Sequence, residues 1–188
     1  MSHRLKNSLA MVQAIATQTL KPVGERQYVA ALQERIQALS SAHDILFARY
    51  WQQAPIRSLV FSTLQRLVPA GRLDVHGVDV MIGPKSALSL SLVLHEMATN
   101  AVKYGALSND TGRVTVSWHV EGVGDDAVFH FSWTESGGPP VTTPNEKGFG
   151  SKLIRMGLIG TGGVDVSYDS AGFNATMTAP LRQLQDTE

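Results

Sequence analysis

The chain has 188 residues, 43% of them hydrophobic and 17% charged, with 16 Lys plus Arg against 16 Asp plus Glu and no cysteine. That balance suits one ordinary domain or two small ones and excludes a disordered tail, while zero formal net charge offers no field for nucleic acid or an anionic membrane. The missing cysteines exclude disulfides and thiolate metal sites. No apolar run approaches membrane-spanning length and no signal-peptide pattern opens the chain, so a cytoplasmic location is the expectation.

Residues 3–20 predict a helix, with Leu5, Leu9, Val12, Ala16 and Thr19 recurring at helical steps. His3 and Asn7 lie one turn apart on one side of it. Pro22 and Gly24 break that helix, and a second from Glu25 to about Arg49 carries Val29, Leu32, Ile36, Leu39, His43 and Leu46. Two helices joined by a short turn make an antiparallel hairpin, whose apolar stripes must pack on another copy or on the rest of the chain.

Pro55 marks the end of the hairpin, and Ile56–Val68 predicts a third helix stopped by Pro69-Ala70-Gly71. Arg72–Ile82 alternates around Gly77 and predicts a short β-hairpin. The stretch from Leu88 to Leu107 follows, long enough for about five helical turns. Leu90, Leu94, Met97, Ala98, Ala101 and Tyr104 share its broad apolar face, with Ser89, Glu96, Asn100 and Lys103 on a polar stripe beside it. A carboxylate, a carboxamide oxygen and an ammonium in one row suit Mg²⁺ with a triphosphate: oxygens ligate the hard cation and the lysine meets phosphate. The bland alternative is an amphipathic helix with a wet charged face.

Strands are predicted at 113–121 and 127–133, joined by a Gly122-Val123-Gly124-Asp125-Asp126 turn. Residues 136–150, rich in Gly and Pro, form a loop. A helical segment from Ser151 comes next, and a last hairpin turns at Ala171-Gly172. The expected fold class is α+β: an N-terminal antiparallel helical hairpin over residues 1–54, then a layered α/β sandwich over 55–188.

Four motifs in order, HRLKN at 3–7, HEMATNAVKYGALS at 95–108, WTESGGPPV at 133–141 and GFGSKLI at 148–154, resemble the boxes of HWE-type sensor histidine kinases. The histidine beside Glu96 and the Trp-x-Glu element are the subgroup's marks. The resemblance covers residues 3 to about 180. It implies a phosphoacceptor and dimerisation hairpin followed by a Bergerat-type ATP-binding domain.

On that resemblance His3 is the phosphoacceptor, a neutral imidazole able to attack the γ-phosphate of ATP in line. Arg4 would neutralise charge on the migrating phosphoryl group, and Asn7 would hold phosphate or water; exposed first-turn residues are otherwise simply solvated. Many histidine kinases carry an acidic residue after the phosphoacceptor. Arg4 stands there in this chain, which leaves the general base unassigned. In the long helix His95, Glu96, Asn100, Lys103 and Tyr104 fall in the nucleotide box. Asn100 is the implied Mg²⁺-ATP ligand, Glu96 stands beside the metal or phosphates, and Lys103 reaches phosphate. Tyr104 packs near the base or in the core. A zinc-protease reading of His95-Glu96 fails because Thr99 occupies the second histidine's place.

Glu135 stands where the wider ATPase family has an aspartate accepting from the adenine amino group. Trp133, in phase with Phe129 and Phe131, is expected in the core. Gly137 suits close backbone approach to a nucleotide, and Gly148 and Gly150 precede a helix whose amino end meets phosphates. The lid over 141–147 is short and lacks a phenylalanine box. His43, His76, His119 and His130 read as structural.

The implied activity is an ATP-dependent protein-histidine kinase core that passes phosphate from His3 to a response-regulator aspartate. A homodimer through residues 3–50 and an upstream sensor domain outside this chain are further expectations. The runner-up is a non-catalytic phosphotransfer or dimerisation module with a vestigial ATP domain. A serine kinase of the anti-sigma type is weaker still, because it needs no histidine-bearing hairpin.

Overall fold

The computed structural model describes residues 26–47, 53–141, 149–158 and 163–187. Its first helix, α1, spans Arg26–Phe47; β1 (Ala54–Pro55) and α2 (Ile56–Leu64) follow, then β2 (Leu73–Gly77) and β3 (Met81–Ile82). The long helix α3 runs Pro84–Lys103, ahead of β4 (Arg113–Glu121) and β5 (Val128–Ser136). Helix α4 (Phe149–Met156), β6 (Val164–Asp169), β7 (Gly172–Pro180) and the short α5 (Leu181–Leu184) complete the order. The expected first helix, with His3, Arg4, Lys6 and Asn7, lies outside the described residues, as do Gly148, the lid over 142–148 and the side chain of His43.

Five strands form one mixed sheet in the order β2-β4-β5-β7-β6; β2 pairs parallel to β4, and the other neighbours are antiparallel. This is an α+β layered fold. Helices cover one face because each central strand alternates. Val114, Val116 and Trp118 of β4 and Phe129, Phe131 and Trp133 of β5 are buried. Across from them Leu90, Leu94, Met97, Ala98 and Ala101 of α3 are fully buried, the stripe expected of that helix. Helix α3 starts at Pro84, whose fixed φ and missing N–H suit the first turn.

Two sequence expectations are corrected. Residues 72–82 do not form a β-hairpin: β2 pairs with β4, whereas β3 pairs antiparallel with β1. Gly77 is no turn there. It is the register partner of Trp118, and a Cβ on it would lie 2.3 Å from the indole, so glycine makes room for that ring. Tyr104 is not core either. Helix α3 ends at Lys103, the chain departs from helical geometry at Tyr104, and that side chain is 72% exposed.

Helix α1, the described part of the expected hairpin, packs on α3 and α2. Its buried face carries Val29, Ile36, Ala38 and Ala42, while Leu32 is exposed. Small alanines let the helices approach closely enough for a longer polar side chain, Arg35, to cross between them.

Candidate functional site

The polar stripe of α3 is not a wet face. Glu96 is buried, with 5% of its surface exposed; Asn100, one turn on, is half-buried, and Lys103 in the last turn is exposed. Glu96 is held by a planar fork: Arg35 of α1 donates from Nε to Glu96 Oε1 at 2.6 Å and from Nη2 to Oε2 at 2.8 Å. A buried carboxylate survives in low dielectric because this bidentate, charge-assisted pair replaces its water. The partnership pushes the Arg35 guanidinium further above its usual range, its hydrogen bond to Glu96 being the largest cause.

Beside the same carboxylate stands Gly150, in the first turn of α4. A Cβ there would come within 2.4 Å of Glu96 Oε2, so only glycine lets the α4 backbone approach. His95 is also buried; its Nε2 is 4.0 Å from Glu34 Oε2 on α1. Burial lowers its pKa below the ordinary imidazole value, although Glu96 and Glu34 pull the other way. His95 is therefore a neutral ring at neutral pH, packed between α3 and α1.

Glu135 anchors the second half of the site. It follows Trp133 in the inward phase of β5 and is buried, 3% exposed, against the carboxyl end of α3. The Ala106 N–H donates to its Oε2 at 2.7 Å and the Trp133 indole Nε1–H to its Oε1 at 3.1 Å. Burial raises the Glu135 pKa above the usual carboxylate value; those two donors oppose the shift without cancelling it. Gly105 makes room for the contact, since a Cβ on it would sit 2.0 Å from Glu135 Oε2.

The loop after β5 closes on the same place. Gly137, at a φ of +69°, receives Asn109 Nδ2–H on its carbonyl at 2.9 Å, while Asn109 Oδ1 accepts the Gly112 N–H at 2.8 Å. Gly138 lies so close to Ala106 that a Cβ would meet its Cα at 2.4 Å. The structure thus sets Gly150 against Glu96 in the carboxyl-terminal half of α3, with Asn100 one turn further on. It gathers Glu135, Gly137 and the 105–112 loop at that helix's end.

Sequence reasoning missed Arg35, Gly105 and Gly138. Arg35 has no local signature, because its partner is 61 positions away. The burial of Glu135 was legible: continuing the alternation of Phe129, Phe131 and Trp133 by two residues puts it on the core side.

With this geometry in place the chain can be set against known proteins. The family described as HWE histidine kinase matches over residues 1–79. A blue-light-activated histidine kinase of Brucella anthropi is 40% identical over 185 residues, covering 96% of this chain and 38% of that protein. This chain belongs to the HWE histidine kinase family. The blue-light-activated histidine kinase of Brucella ovis is 37% identical over 185 residues, with the same coverage of 96% and 38%. The chain therefore spans under two fifths of the length of the curated relatives it matches.

Among solved structures, the histidine kinase domain from Erythrobacter litoralis EL346 blue-light activated histidine kinase superimposes with a TM-score of 0.61 at 18% identity, covering 98% of this chain and 95% of that one. The Erythrobacter litoralis EL346 blue-light activated histidine kinase itself gives 0.62 at 18% identity, covering 94% of this chain and 60% of its own. Those two establish the shared α+β fold. Among the described residues no helix is long and apolar enough to cross a membrane.

Proposed function

We propose that this HWE kinase region binds Mg²⁺-ATP against α3 and transfers the γ-phosphate to His3, from which a response-regulator aspartate receives it. The observation that carries the nucleotide reading is the amino end of α4 at Gly150 set against Glu96, one turn before Asn100 on α3. Backbone N–H groups at a helix start suit phosphate. The Asn100 carboxamide offers an oxygen that fits a hard cation, and Glu96 would join it only by releasing Arg35 from its two oxygens; Mg²⁺ bound there would supply charge neutralisation to the phosphates.

The chain's own residues have separate tasks in this reading. Asn100 presents its carboxamide oxygen to the cation, and Lys103, exposed at the helix end, swings to a phosphate. Glu135 keeps one free lone pair on each oxygen after the Ala106 and Trp133 contacts, and accepts from the adenine amino group. Gly137 permits close approach of the base, and Tyr104, exposed just past the end of α3, is free to cover the nucleotide. His95 stays neutral and shapes the helix junction without touching phosphate. His3, with Arg4 and Asn7 around it, takes the phosphoryl group through a neutral imidazole nitrogen. Residues 1–54 serve as the phosphoacceptor and dimerisation hairpin, residues 55–188 as the ATP-binding domain, and the setting is cytoplasmic with a sensor domain upstream.

Incubation with γ-labelled ATP and Mg²⁺ tests this directly. The expected product is an acid-labile, alkali-stable label that disappears in His3→Gln. A label that persists in His3→Gln, or one that survives acid, overturns the proposal.

A further inference from the structure

The sheet face turned away from the helices holds a cluster that the nucleotide site does not use. His119 of β4 and His130 of β5 are direct register partners across the antiparallel pair. Their rings lie parallel, 2° apart, with centroids 4.6 Å apart. Glu121, two residues beyond His119 and so on the same face, places Oε2 3.2 Å from His130 Nε2. That nitrogen is shut off from solvent, yet no hydrogen bond satisfies it, because the carboxylate approaches out of line.

One donor atom from each of these three side chains lies within 4.8 Å of the other two. Burying an imidazole nitrogen without a partner costs free energy. A cation shared by the three groups removes that penalty. Two neutral imidazoles and one carboxylate are the donor set of a borderline divalent transition ion, not of Mg²⁺ or Ca²⁺, which prefer oxygen throughout. We propose that His119, His130 and Glu121 form a binding site for Zn²⁺ or a neighbouring imidazole-seeking divalent ion, clipping β4 to β5 beside the 122–127 turn.

The movement required is small. Ligands about 2.0–2.1 Å from a tetrahedral ion stand roughly 3.3 Å from one another, so the donors close by at most about 1.5 Å. His119 and Glu121 are exposed and free to rotate, and the two rings tilt out of parallel to aim their lone pairs at one point. Three protein ligands leave a fourth position for water. The site lies across the sheet from α3, and its preference for nitrogen donors separates it from the oxygen donors proposed to hold Mg²⁺ there.

The test uses the untagged full chain, stripped with chelator and free of nucleotide, titrated with ZnSO₄ by calorimetry and followed by thermal melting. Expected are one equivalent of bound Zn²⁺ and a melting temperature raised by roughly 5 °C at hundredfold excess over Kd. MgCl₂ should give no such rise. His119→Ala and Glu121→Gln replace exposed side chains, so the fold persists; each should weaken Zn²⁺ binding at least tenfold, whereas His76→Ala, on an exposed histidine elsewhere, should not. Equal Zn²⁺ affinity in wild type and His119→Ala, or loss of binding in His76→Ala alone, overturns the proposal.

Discussion

Arg35 and Glu96 face each other across two helices: Nε meets Oε1 at 2.6 Å and Nη2 meets Oε2 at 2.8 Å, with the carboxylate side chain only 6% exposed. The pair ties α1 to the residue that the proposed chemistry places beside Mg²⁺ and phosphate. It therefore links the position of α1 to the state of Glu96.

Removing one side of such a pair leaves the other charge buried and unpaired. Arg35→Ala should destabilise the fold by about 3 kcal/mol, at the lower end for a broken buried pair because Arg35 itself is a quarter exposed. Arg35→Met with Glu96→Leu should recover most of that loss, since an apolar pair carries no stranded charge. Urea denaturation of the single and double variants measures the coupling. Strictly additive losses would show that the two residues do not interact.

The neutral burial of His95 fixes a direction for pH. Its folded pKa lies below the ordinary value of 6.5, so between the two values the unfolded chain binds the extra proton. This contribution to stability is complete above pH 6.5 and is lost as pH falls from there through the folded pKa. Denaturation midpoints at pH 7.5 and 5.0 in wild type and His95→Gln check it: the drop on acidification should be smaller in the variant.

Glu135 depends on space and donors supplied by its neighbours. Gly105→Ala puts a methyl 2.0 Å from Glu135 Oε2, where the helix end and the β5 backbone leave little room to yield, and should cost at least about 2 kcal/mol. Trp133→Phe removes the indole N–H donor and opens a cavity, and should cost about 2–4 kcal/mol. Chemical denaturation reads both. A neutral Gly105→Ala would mean that the α3 end and β5 move apart freely.

Asn100→Asp tests the proposed nucleotide contact. It replaces a neutral amide by a second carboxylate near Glu96 and should lower Mg²⁺-dependent ATP binding and the rate of labelling at least tenfold. Titration with a fluorescent ATP analogue, with and without Mg²⁺, separates binding from transfer.

Much of this protein was legible locally. The α3 stripe from Leu90 to Ala101 and the alternation in β4 and β5 needed only periodicity, because each face is set by the residue's own helical or extended geometry. The row of Glu96 and Asn100 one turn apart is likewise a property of a single helix. Local pattern failed where partners are remote. The alternation of residues 72–82 signalled strands correctly, yet it carried no information about which strand would lie alongside. Gly77 looked like a turn when its real task is to admit the Trp118 indole.

The amino-acid order alone settled the types of the described elements, the family boxes and the residues lining one side of α3, since these follow from short-range geometry and residue chemistry. Tertiary packing decided that Glu96 is gripped by Arg35, that Glu135 is buried against the end of α3, and that His119 stacks on His130. Burial and pairing depend on which distant surfaces meet. No window of neighbouring residues contains that information.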